Sequence, residues 1–133
     1  MIHEELSIGR WHIDFLFAPK GYDTEEALMY LYDADATDDI LVRAYHILED
    51  GDDNTGFTYT NPDMKSAVVV IGPTTSGSEF INSLVHEMYH VATAIAESIG
   101  YDLRGENPAY MIGGSAMELT QVICDLGCEE CRK

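Results

Sequence analysis

A chain of 133 residues with 24 acidic and 7 basic side chains carries a net charge of −17, which repels phosphate backbones and anionic lipid and argues against nucleic-acid and membrane partners. A hydrophobic content of 46% fits one globular domain over residues 1–133, large enough to bury a core without a metal to hold it together. No apolar run nears the ~20 residues of a membrane span, and the acidic residues 1–5 lack the basic and apolar regions of a secretory leader, so the expected compartment is the cytoplasm.

Residues 10–17 place Trp11, Ile13, Phe15 and Phe17 at alternate positions and read as a strand, closed by turn chemistry at Pro19, Gly21 and Asp23. Asp23 or Thr24 then caps a helix with Ala27, Leu28, Leu31 and Tyr32 at helical spacing. A second helical run from about Thr37 carries Ile40, Leu41, Ala44, Tyr45, Ile47 and Leu48, with Asp38 and Asp39 where the helix dipole favours negative charge. The pattern fits two helices or one bent helix. His46, set among apolar positions, reads as a packing residue rather than a ligand.

Residues 49–56 read as an acidic, turn-rich loop. Strands at 57–60 and 66–71 flank a turn at Asn61, Pro62 and Asp63, and the β-branched run in the second strand points to burial on both faces. Ser76 and Glu79 form a capping box for a helix that runs to about Ile99, where Gly100 stops it.

That helix contains His86-Glu87-Met88-Tyr89-His90. Residues four apart lie one turn apart on the same face, so His86 and His90 can offer two imidazole nitrogens to one ion. Glu87 stands about 100° round the helix, where it can reach a water on that ion without being a ligand. Phe80, Leu84, Met88, Val91 and Ile95 gather on one side, whereas Glu79, Ser83, His86, His90, Thr93 and Glu97 form the opposite stripe. Both histidines therefore face away from the core.

A loop at 100–105 leads to an apolar helix through Met111, Ile112, Ala116, Met117, Leu119 and Val122 to about Cys124, with Pro108 in its first turn. Glu106, at or just before the start of this separate helix, is the first candidate for a third ligand, leaving a fourth position open. Asp102 is its rival and Glu118 the third choice. Glu97 lies about 10 Å along the same helix as His90, too far for the same ion. The competing role for Glu106 is to complement the helix dipole.

His86-Glu87-x-x-His90 with a later Glu106 resembles the gluzincin branch of the zincin metallopeptidases, and residues 54–114 are similar to small zincin-like proteins of bacteria and phages. Metzincins differ, because Thr93 and Ala96 stand where their glycine and third histidine would be. The resemblance implies an α+β fold in which a small mixed sheet packs on the HExxH helix and a C-terminal helix. It implies Zn²⁺ held by His86, His90 and Glu106, with Glu87 as general base in hydrolysis of a peptide or protein substrate. The acidic surface would suit a basic substrate. Tyr110, one turn after Glu106, is a candidate either to steady the oxyanion or merely to pack. The alternative implied function is an inactive zincin-like scaffold that works as a metal-binding interaction module.

Cys124, Cys128 and Cys131 form C-x3-C-x2-C in a short tail from about residue 124. Three thiolates can serve a second metal, but a structural zinc wants four ligands, so the preferred reading is reduced thiols.

Overall fold

Trp11, Ile13, Phe15, Leu16 and Phe17 bury both faces of β2 (Trp11–Phe17), which makes it an inner strand. The computed structural model describes residues 1–50 and 56–133, so the part of the expected acidic loop at 51–55 lies outside the described residues. Among the described residues the fold is α+β, with six α-helices and a four-stranded mixed sheet. The chain divides into two units, Met1–Pro73 and Thr74–Lys133.

In the first unit the strand order is β1-β2-β4-β3. β1 (Ile2–Ile8) runs antiparallel to β2, β2 runs parallel to β4 (Ser66–Ile71), and β3 (Phe57–Asn61) runs antiparallel to β4. β1 is not among the strands expected from the sequence, because its acidic residues mask the alternation. Its hairpin is nevertheless encoded: Ile8 and Trp11 pair across a two-residue turn whose first residue, Gly9, has φ 58°, a value glycine adopts without strain. In β4, residues 67–71 are all buried, as the β-branched run implies.

Two helices, α1 (Thr24–Asp33) and α2 (Asp38–Asp50), follow β2, so the apolar run is not one bent helix. Asp35 explains the break. It sits at φ 63°, while its N–H bonds the Tyr32 carbonyl (2.9 Å) and the Ala36 N–H bonds the Leu31 carbonyl (3.0 Å), the paired closure of a Schellman motif. Leu16, Val68 and Val70 of the sheet cluster with Ala27, Leu31, Ala34 and Ala44. His46 is exposed, with its ring edge-on to Tyr45 at 5.6 Å between ring centroids, and it is no part of this core. The buried Asp23 does not cap α1. Its carboxylate accepts the Lys20 N–H at 2.8 Å, and that bond holds it below the usual carboxylate range.

The second unit is built on α3 (Gly77–Ser98), against which α4 (Glu106–Glu118) and α5 (Thr120–Gly127) pack. At its start the Ser76 hydroxyl accepts the Glu79 N–H (3.1 Å), as a capping box requires. The Glu79 carboxylate reaches one residue further than expected and accepts from the Thr75 hydroxyl (2.6 Å) and the Thr75 N–H (3.2 Å), which lowers its pKa. At its end Gly100, φ 77°, closes a second Schellman motif through the Tyr101 N–H to the Ala96 carbonyl at 2.8 Å. The expected single C-terminal helix is interrupted at Leu119, where the Thr120 hydroxyl bonds the Met117 carbonyl at 2.5 Å, a local bond that competes with the helical ladder. Among the described residues no helix is long and apolar enough to cross a membrane.

The short α6 (Glu129–Arg132) is tied to the start of α3. Glu129 Oε1 accepts the Gly77 N–H at 2.6 Å, and the Arg132 guanidinium bonds the carbonyls of Thr74 (2.5 Å) and Leu126 (2.7 Å). A side chain at Gly77 would overlap the Gly127 carbonyl oxygen. Gly77→Ala should therefore lower the stability of the chain by about 1–3 kcal/mol through overpacking, although alanine suits a helix start. Thermal melting against wild type is the check, and an unchanged melting temperature would show that the two segments do not press together.

Candidate metal centre

The burial of α3 divides as its sequence periodicity demands. Phe80, Leu84, Met88, Val91, Ala92 and Ile95 are buried, while His86 and His90 are exposed. Helical rise stacks the two imidazoles, and their Nε2 atoms stand 3.2 Å apart with the ring planes at 79°. The two nitrogens are within hydrogen-bond distance of one another, so the pair gathers both at one spot on the exposed face of α3.

Glu87 is 4% exposed. One ligand atom from each of His86, Glu87 and His90 lies within 4.8 Å of the others, and the three form a group that could hold a metal ion. The carboxylate thus stands beside the imidazole pair from the buried flank of the helix, not from solvent. Val85 and Tyr89, exposed by half, flank the histidines on the same helix.

Glu106 is the exposed first residue of α4, and it stands outside this group. The structure brings together His86, His90 and Glu87 of the expected set, and Glu106, which opens α4, is not in that group. Neither rival takes its place. Asp102 Oδ1 accepts the Arg104 N–H (2.9 Å) in a local turn, and Glu118 lies exposed at the far end of α4. Tyr110 projects from α4 with 73% of its surface exposed, so it is not a packing residue.

A second group of the same kind, His3, Glu5 and Asp14, lies on β1 and β2. It was not expected from the sequence, because β1 was not. The signal was the period-two spacing of His3 and Glu5, which carries meaning only once the segment is recognised as a strand.

The cysteines are free thiols. Cys124 and Cys131 approach to 3.4 Å between sulfurs, and the contact with Cys124, then that with Cys128, pushes the Cys131 thiol up to about 12. Cys128 moves the other way, because its sulfur accepts from the backbone N–H of Cys131 and of Glu130. Brief alkylation with iodoacetamide at mildly alkaline pH should modify Cys128 first and Cys131 last. Peptide mass spectrometry reads the order, and equal rates at the three sites would contradict it.

Comparisons with family models, with curated proteins and with solved structures find no match for this chain, so the chemistry of the site rests on its own atoms.

Proposed function

We propose that the chain is a zinc-dependent peptidase centred on α3. The observation that carries this reading is the 3.2 Å separation of the His86 and His90 Nε2 atoms. Two nitrogens bound to zinc at about 2.0–2.1 Å in a tetrahedron lie about 3.3–3.4 Å apart, so the pair already has the spacing of two zinc ligands. Imidazole with carboxylate is a donor set that suits a borderline ion of this kind. When bound, zinc supplies Lewis acidity to a peptide carbonyl and acidifies water toward neutral pH.

The chain's own residues supply the remainder. His86 and His90 would hold the ion, and Glu106, although outside their group here, is the candidate for a third protein donor because it opens the helix that packs on α3. Glu87, buried beside the imidazoles, takes the proton of the attacking water and passes it to the leaving amine. Exposed Val85 and Tyr89 give apolar surface for substrate side chains beside the histidines. The net charge of −17 favours basic peptide substrates.

Glu87→Gln keeps the shape of the side chain and removes its proton affinity. Cleavage of an unfolded basic protein should fall about 10²–10⁴-fold, the usual worth of a general base, while zinc remains bound by elemental analysis. Wild-type cleavage by that variant would refute the mechanism.

The second reading is a metal-binding interaction module without catalysis, and the position of Glu106 outside the histidine group favours it. Glu106→Gln separates the two. The peptidase reading expects zinc affinity to fall by about tenfold or more together with activity. Unchanged affinity, with no chelator-sensitive cleavage by wild type, would leave a two-histidine site and the module.

A further inference from the structure

The β1–β2 hairpin places charge where a sheet does not tolerate it unaided. Glu5 and Asp14 are direct partners across the antiparallel pair, and like charges directly opposite one another are destabilising. Asp14 is also 9% exposed, within a strand whose other inner residues are apolar. Alternate residues share a face, so His3 and Glu5 of β1 join His12 and Asp14 of β2 on one side of the sheet.

The side chains close on one another there. His3 Nε2 lies 2.8 Å from Asp14 Oδ1 and 3.9 Å from Glu5 Oε1, and His12 Nε2 lies 3.2 Å from Asp14 Oδ2. Among the described residues no lysine or arginine pairs with either carboxylate; their ion-pair partners are imidazoles, which carry charge only when protonated. The far nitrogen of His3, Nδ1, stands 3.3 Å from the Tyr30 hydroxyl, and the two rings lie 4.6 Å apart. An imidazole oriented through its outer nitrogen, with its inner nitrogen aimed at two carboxylates, has the support that a ligating histidine usually receives.

We propose that this hairpin face is a second cation site, in which His3, Glu5 and Asp14 hold a borderline divalent ion of the zinc class, with His12 on the other oxygen of Asp14. Imidazole with carboxylate matches the preference of such an ion. The ion offsets the Glu5–Asp14 repulsion and ties β1, the edge strand, to β2. Its role is structural, joining donors from two strands. The site is independent of His86 and His90, and so of the peptidase reading.

The test uses the full chain carrying His86→Ala and His90→Ala. Both positions are exposed, so the core is left intact. Ring-resonance NMR of the remaining histidines is followed as zinc chloride is added. The ring signals of His3 and His12 should shift, while His46, exposed on α2, serves as the internal control and stays unmoved. Adding Glu5→Gln should weaken the response by about tenfold or more. Unmoved His3 and His12 signals at excess zinc would overturn the site and leave Asp14 in hydrogen bonds to the imidazoles alone. Equal zinc affinity with and without Glu5→Gln would overturn it too.

Discussion

One turn of α-helix separates His86 from His90, and that separation is the constraint on which the candidate chemistry depends. Side chains two residues apart, or five, lie on different faces of a helix and would not bring their Nε2 atoms to 3.2 Å. The helix must therefore stay regular through both positions. Its ends are fixed accordingly: Ser76, Glu79 and Glu129 serve the N-terminal donors, and Gly100 closes the C-terminus. The buried face from Phe80 to Ile95 prevents rotation about the axis, which would carry the imidazoles away from solvent.

These features were legible in the sequence because each depends on spacing within one helix. The HExxH register, the apolar stripe, the Ser76 cap and the Gly100 stop are all local, and local periodicity reports them directly. What escaped the sequence depends on partners distant in the chain or on competition between nearly equal local bonds. β1 becomes a strand by pairing with β2, and its glutamates conceal the alternation of Ile2, Leu6 and Ile8. The break at Leu119 turns on a threonine hydroxyl choosing a backbone carbonyl. The placement of Glu106 is a question of how α4 lies on α3, which no spacing rule encodes. Its candidacy followed from being on a separate helix, and that much stands; the distance to the imidazoles was never in the pattern.

A chain with 24 acidic and 7 basic residues cannot pair most of its carboxylates with lysine and arginine. It uses backbone amides instead. Asp23 takes the N–H of Lys20, Glu79 that of Thr75, Asp102 that of Arg104, and Glu129 that of Gly77. Such bonds favour the ionised form, and Asp23 and Glu79 are accordingly held below the usual range. A depressed carboxylate adds stability above its unfolded pKa and loses it as pH falls through the folded value. The turn before α1 and the start of α3 should thus survive mild acidification and loosen only as the pH falls below the ordinary carboxylate range. The second of these would disturb the helix that carries the histidines.

The same shortage of cations bears on the two groups that could hold a metal. In both groups the buried member is a carboxylate, Glu87 on α3 and Asp14 on the hairpin. The histidines differ: His86 and His90 are exposed on one helix face, whereas His3 is part-buried and both oxygens of Asp14 are bracketed by imidazoles. Exposure of the imidazoles, more than burial of the acid, would separate a centre open to a substrate from one that only holds two strands together.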